Sequence, residues 1–283
     1  MSARRIDLHT HSTASDGTTP PADLVREARQ AGLDVVALTD HDTTGGWDDA
    51  ASALPTGLSL VRGAEISCSH DGTSLHLLAY LFDPVDDRLS TRLAELRESR
   101  VTRAERMSRL VAADHPGVTW ERVQELAGGV VGRPHVAQAL VEQGLVETVS
   151  HAFSPEWIGT GGRYWVDKLE LDVVDAVGLV VGAGGVAVFA HPAAAARGRT
   201  VGDDVIADMA AAGLHGLEVD HVDHDEQGRA HLRSLASELG LLTTGSSDYH
   251  GRNKTVRLGA HLTSEASYAE IVERASGVEV LAG

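Results

Sequence analysis

Short apolar runs rich in Val, Leu and Ile recur along the chain, and helix-like stretches separate most of them. This is the pattern of a parallel β/α architecture. Seven runs read as strands: Ile6 to Leu8, Val35 to Thr39, Leu58 to Arg62, Leu75 to Tyr80, Val186 to Ala190, Leu217 to Val219 and Leu241 to Thr244. Only a short loop joins the third to the fourth, so the regular alternation of strand and helix breaks there. Between Asp83 and about Leu171 the strand runs stop. The composition becomes charged and helical, with Leu93, Leu96, Arg97 and Arg100 at helical spacing. Gly128-Gly129, Gly159 to Gly162, Pro116 and Pro155 divide this stretch into short helices. The expected fold class is α/β: a barrel formed by residues 1–90 and 172–283, with residues 91–171 inserted as a helical cap subdomain.

Composition narrows the choice of function. At 283 residues, with 42% hydrophobic and 23% charged, the chain suits one enzyme-sized barrel, and long disorder is disfavoured. Lys plus Arg is 24 against 41 Asp plus Glu, a formal charge of -17, so a long duplex nucleic acid is disfavoured as a partner. Bound divalent cations would offset part of that acidity. Cys68 is the single cysteine, which removes intramolecular disulfides and thiolate zinc sites and fits a reducing compartment. The amino end lacks an apolar signal core, and nothing approaches the roughly 18 apolar residues of a membrane span. A cytoplasmic location is expected, with no membrane partner.

The chemistry shows in where the histidines and carboxylates fall. In six of the seven runs a potential metal ligand sits inside the run or within about three residues of its carboxyl end. His9 and His11 follow the first run, Asp40 and His41 the second, Glu65 the third, His191 the fifth, and Asp248 and His250 the seventh; His76 lies inside the fourth. Barrel enzymes build their sites at the carboxyl ends of strands, so residues distant in sequence would converge there. His9 and His11, two apart in an extended segment, point to one side, and Asp248 and His250 stand in the same relation. Imidazole and carboxylate without thiolate suit catalytic Zn, Mn or Fe, and a bridging Glu65 would serve hydrolysis by two ions. A lone buried histidine is ordinarily a hydrogen-bonded core residue; so large a set at corresponding strand ends is too costly to bury without cations. His70, His115, His151, His215, His231 and His261 show no such pattern. His221 and His224, after the sixth run, face either the pocket or solvent.

These residues carry a resemblance. Asp7-Leu8-His9-Thr10-His11-Ser12, Ser15-Asp16-Gly17, Thr39-Asp40-His41-Asp42-Thr43, Gly63-Ala64-Glu65-Ile66-Ser67, Ala190-His191-Pro192 and Ser247-Asp248-Tyr249-His250 resemble, in order, the motifs of the PHP (polymerase and histidinol phosphatase) family. The match runs from residue 6 to about residue 260. It implies a distorted seven-stranded barrel with a trinuclear metal centre. Carried over by position, it puts His9, His11, Glu65 and Asp248 on one ion, Glu65, His76 and His191 on a second, and Asp16, His41 and His250 on a third. Some members have a histidine where Asp16 stands. Glu65, Asp248 and His191 become the catalytic candidates, and Asp7 and Asp40 are read as orienting the histidines from behind. The implied cofactors are two or three divalent ions, Mn, Zn or Fe.

The insertion and Gly132-Arg133-Pro134-His135 resemble the subgroup that removes the 3′-phosphate from nucleoside 3′,5′-bisphosphates, whose relatives trim short RNA from the 5′ end. Arg133 and His135 would then meet the second phosphate, although Pro134 at a first turn also suits an ordinary helix start. After Ala190-His191-Pro192, where relatives often carry an early Arg, Ala193 to Ala196 intervene before Arg197 and Arg199, the loop's candidates for substrate contact. The expected partner is a small phosphorylated nucleotide or short RNA, and not duplex DNA. A cap lined by Arg100, Arg103, Arg106 and Arg109 would pass an RNA strand, whereas a closed one would hold a mononucleotide. Histidinol phosphate hydrolysis and a metal-binding scaffold without catalysis are the remaining readings.

Overall fold

The computed structural model describes residues 3–127 and 131–283; the expected break at Gly128-Gly129 lies outside the described residues. The chain runs β1 (Ile6–Asp7), α1 (Pro21–Gln30), β2 (Val35–Leu38), α2 (Trp47–Ser52), β3 (Ser59–His70), β4 (Thr73–Tyr80), α3 (Asp87–Asp114), α4 (Trp120–Ala127), α5 (Arg133–Glu142), α6 (Val149–Ala152), β5 (Leu171–Asp172), α7 (Val173–Gly182), β6 (Val186–Phe189), α8 (Asp203–Ala211), β7 (Gly216–Asp220), α9 (Glu226–Leu239), β8 (Leu242–Gly245), α10 (Glu265–Arg274) and β9 (Leu281–Ala282). Each of the seven apolar runs forms a strand. The two-residue β5 and β9 both pair with β3. No described helix is long and apolar enough to cross a membrane.

The main strands lie in the order β1-β2-β3-β4-β6-β7-β8. β1, β2 and β3 are parallel, as are β6, β7 and β8, and β4 runs against both of its neighbours. Its reversal follows from the turn at Asp71-Gly72. Both residues have positive φ, +46° and +70°, the twist that a two-residue hairpin needs and that Asp-Gly supplies readily. Between β8 and β1 the barrel is stitched rather than laddered, by Thr263 N to Ile6 O at 2.9 Å and His11 N to Tyr249 O at 2.8 Å. The result is a nearly closed seven-stranded barrel.

Successive residues of a strand face opposite sides, and the core follows this. Val35 and Ala37 pack into the barrel interior with Ile6, Val61, Leu78, Val186 and Val188. Val36 and Leu38 join the layer under the helices with Leu24, Leu60, Leu77 and Leu217. A strand buried on both faces reads as a continuous apolar run, which is why these strands were visible in sequence. Each fully buried Leu, Ile or Val contributes roughly 1.5–3 kcal/mol.

Helix α3 starts at Asp86, whose side chain accepts from the amides of Arg88 and Leu89. With α4, α5 and α6 it encloses a second apolar cluster, including Met107, Val111, Val123, Val136, Leu140 and Ile158. Leu89, Leu93 and Leu96 on its first turns belong instead to the layer around the barrel. The helix therefore spans both apolar layers.

Candidate metal centre

The mouth of the barrel is built from the strand ends. β2 ends at Leu38, so Thr39, Asp40 and His41 turn over its rim, and His41 pairs with Glu65 of β3 in a parallel bridge. Because β4 is reversed, its beginning meets the end of β3, with Ser67 opposite His76. His76 reaches the mouth from the first half of its strand and Glu65 from the middle of the long β3, whereas the other ligand candidates follow their strands. Gly17 closes the tight Ser12 to Gly17 turn behind Asp16; a Cβ there would lie 2.4 Å from the His11 carbonyl oxygen.

Glu65 is the hub. Its Oε2 lies 3.2 Å from His9 Nε2, 3.0 Å from His11 Nε2 and 3.2 Å from His41 Nδ1, and its Oε1 lies 2.9 Å from His76 Nδ1 and 3.0 Å from His191 Nε2. Asp248 Oδ1 stands 3.5 Å from the Nε2 atoms of His9 and His11 and 3.3 Å from His250 Nδ1. Asp16 approaches His11, His41 and His250 at 3.4–3.7 Å. Donor atoms within 4.8 Å of one another form three groups: His11, Asp16, His41 and His250; His9, His11 and Asp248; and His41, Glu65 and His76. The structure thus brings together all nine residues singled out in sequence.

This donor set fits divalent cations. His41 Nδ1 and His76 Nδ1 are buried and close to Glu65 but make no hydrogen bond, a costly state unless a cation accepts their lone pairs. Burial pushes the pKa of His41 well below its ordinary value, and burial with the nearby Lys254 and His11 brings His250 down to about 4. Neutral imidazole is the metal-binding form. Burial works against the ionised carboxylates of Glu65 and Asp16, but the surrounding histidines overcome it and hold both well below the usual range. For His11, burial lowers the pKa, yet Asp248 and Glu65 lift it to about 9; a cation would replace that proton.

Backbone strain collects here. His191, Asp248 and Asp42 adopt positive φ of +32°, +51° and +56°, a conformation that costs side-chain-bearing residues about 1–3 kcal/mol and persists where surroundings enforce it.

Behind the cluster the structure differs in part from the expected support. Asp7 accepts from the amides of Ser247 (3.0 Å), Gly259 (2.8 Å) and His9 (3.4 Å), and Asp40 from Ser12 N, Ser12 Oγ and Ser15 Oγ at 2.6–2.8 Å. Both tie backbone segments and hydroxyls together; neither makes a hydrogen bond with a histidine ring. The His9 ring is held by Glu218, with Oε1 3.0 Å from Nδ1. Glu218 Oε2 also accepts the His191 amide at 2.8 Å, and Ser246 donates to Oε1. Glu218 sits within a run read as purely apolar, and a charged residue at the centre of a strand buried on both faces was the signal for it. Asp42, likewise unassigned, accepts from Ser67 N at 2.7 Å and from Arg100, while its carbonyl accepts from Arg97 at 2.9 Å.

The remaining candidates are dispersed. His135 is buried, with Nδ1 accepting the Gly132 amide at 3.0 Å, and Arg133 stacks on Phe153 and Trp165. Arg199 is exposed, and the side chain of Arg197 lies outside the described residues. His221 and His224 are both buried while Val222 between them is exposed, so the two rings turn inward from a surface loop. Arg100 and Arg103 point inward from α3, but Arg106 and Arg109 are exposed; the four do not form one lining.

The PHP domain family matches residues 7–142. The 3′,5′-nucleoside bisphosphate phosphatase of Chromobacterium violaceum is 34% identical over 252 residues, covering 87% of each chain. The chain belongs to the PHP family. A 5′-3′ exoribonuclease of Haemophilus influenzae is 33% identical over 276 residues, covering 96% of this chain and 99% of that one. A Bifidobacterium adolescentis structure named as a metal-dependent phosphoesterase superposes with a TM-score of 0.90 at 37% identity, covering 97% of this chain and 98% of that one. As a PHP protein with this cluster of histidines and carboxylates, the chain is a metal-dependent phosphoester hydrolase.

Proposed function

We propose that the chain removes the 3′-phosphate of nucleoside 3′,5′-bisphosphates. In this reading His9, His11, Glu65 and Asp248 hold one divalent ion, Glu65, His76 and His191 a second, and Asp16, His41 and His250 a third, with Mn, Zn or Fe suited to the donors. Residues 91–171 act as a cap over the mouth. Bound ions would supply an activated water and neutralise charge on the reacting phosphate. The chain's own part would be to hold those ions through Glu65, Asp248 and the histidines where they meet the reacting phosphate, and to bind the rest of the nucleotide from the cap.

The observation that carries the reading is Arg133. Its guanidinium stacks 4.7 Å from the Phe153 ring and 5.2 Å from Trp165, and no carboxylate among the described residues pairs with it. Burial first, then Arg103 and Arg100, bring its pKa down to about 9. Arg103 lies over Trp165 at 4.3 Å and donates to the Val166 carbonyl. Lys168 has Glu170 at 2.9 Å, and burial with Arg100 lowers it to about 8. A partly buried cationic group short of countercharge suits a second phosphate. His135 adds a donor: with Nδ1 accepting an amide, the ring proton sits on Nε2.

The second reading, 5′-3′ exoribonuclease, draws on the full-length likeness to the Haemophilus protein. The exposed Arg106 and Arg109 count against a basic groove along α3. Phosphate release from adenosine 3′,5′-bisphosphate, adenosine 5′-monophosphate, histidinol phosphate and 5′-phosphorylated oligoribonucleotides separates the possibilities. The bisphosphate should have a kcat/KM at least about ten-fold above the rest. Faster shortening of the oligonucleotides would select the exoribonuclease.

A further inference from the structure

Asp220-His221-Val222-Asp223-His224-Asp225 follows β7 and in sequence suits either a pocket edge or a solvated loop; both histidines are buried. Their rings are set in opposite tautomers by the backbone. His224 Nδ1 lies 2.8 Å from the Val219 carbonyl oxygen, and its Nε2 accepts the Ala193 amide at 3.2 Å, so the proton is on Nδ1. His221 Nδ1 accepts the Asp223 amide at 3.0 Å, which leaves its proton on Nε2. That Nε2 lies 3.3 Å from Asp248 Oδ2. Arg229 donates to the His221 carbonyl at 2.8 Å and pins the loop.

The two oxygens of Asp248 are therefore divided. Oδ1 faces His9, His11 and His250, and Oδ2 accepts from His221 and from Lys254. The two donors differ. The Lys254 side chain is 30% exposed and on a flexible stem, whereas His221 is fully buried and fixed at its other nitrogen. Asp248 also holds a positive φ, which needs support from its neighbours.

We propose that His221 is a positioning residue for the metal centre: its Nε2–H fixes the carboxylate plane of Asp248, so that Oδ1 is presented to the ion shared with His9 and His11. This rests on the reading that the cluster holds ions. His221 is fully buried, and among the described residues its one side-chain hydrogen bond toward the ligand candidates is the one to Asp248. Outer partners of this kind set the orientation of a metal ligand and are worth about 10–100-fold in ion affinity.

The test compares His221→Asn with His221→Gln in the full chain. Asn keeps an acceptor near the Asp223 amide but is too short to reach Asp248; the longer Gln amide reaches it. Mn²⁺ affinity is measured by competition with a chromogenic chelator, alongside the Tm of the chelated protein. Affinity should fall about 10–100-fold in H221N and recover to within about three-fold of wild type in H221Q. Unchanged affinity in H221N overturns the proposal, as does equal weakening in both variants with a lowered Tm, which would mark a packing role. If H221N does not fold, H221Q is read alone: wild-type affinity supports the donor role and weakened affinity overturns it. A wild-type protein that binds no Mn²⁺ would instead remove the metal reading itself.

Discussion

Glu218 and His9 meet inside the barrel, Oε1 to Nδ1 at 3.0 Å, with neither side chain exposed. Burial would raise the Glu218 carboxyl, but His9 holds it below its ordinary 4.5. Burial would lower His9, but Glu65, Glu218 and Asp248 lift it well above 6.5. A carboxylate lowered on folding adds stability above its unfolded value and loses it as pH falls; a raised histidine adds stability below its unfolded value and loses it as pH rises. In the chelated protein the pair therefore contributes fully between pH 4.5 and 6.5. Glu218→Gln should lower the Tm most in that window and progressively less above it. An equal Tm difference at about pH 5.5 and about pH 9 would contradict this assignment.

Ions at the cluster bind the folded chain and so should stabilise it. Chelation should abolish phosphate ester hydrolysis and lower the Tm, and Mn²⁺ should restore both. At about 100 times the dissociation constant the gain is about 2.7 kcal/mol. Glu65→Ala and Asp248→Ala should each reduce kcat by about a hundred-fold or more and lower ion content. The chelated variants should fold, because losing a carboxylate also removes its burial cost. Full activity in either variant, or in ion-free protein, would refute the centre.

Arg133→Ala separates the cap from the reaction centre. A charge-assisted contact to a second phosphate is worth about 1.5–3 kcal/mol, so kcat/KM for adenosine 3′,5′-bisphosphate should fall about ten- to a hundred-fold. Hydrolysis of p-nitrophenyl phosphate, which has no second phosphate, should change little. Equal losses on both substrates would place Arg133 at the reaction centre or in the fold, and no loss on either would remove it from substrate binding.

The seven strands were legible because a strand buried on both faces, such as Val35-Val36-Ala37-Leu38, leaves a continuous apolar signature. Most of the ligand candidates were legible because they lie within or just after those runs. The reversal of β4 could be suspected from the short loop at Asp71-Gly72, but its consequence, that His76 works from the start of its strand, needs the register of the hairpin. β5 and β9, two residues each, carry no period to read. Glu218 shows in sequence only as a charge between the apolar Leu217 and Val219, and its pairing with His9 needs the fold. The direction of His221 depends on the Asp223 amide and Asp248, partners that no local pattern reveals.

Asp42 links two parts of the molecule that the sequence keeps far apart. It follows His41 directly, and its side chain and carbonyl hold Arg100 and Arg97 of α3 while binding Ser67 of β3. Helix α3 is thus fastened to the peptide that presents His41. Linked equilibria are reciprocal: if moving α3 shifts His41 and weakens an ion there, then filling that position must stiffen the attachment of α3 by the same free energy. Occupancy at one edge of the cluster and the stance of a 28-residue helix then become two readings of a single coupling, with Asp42 as its hinge pin.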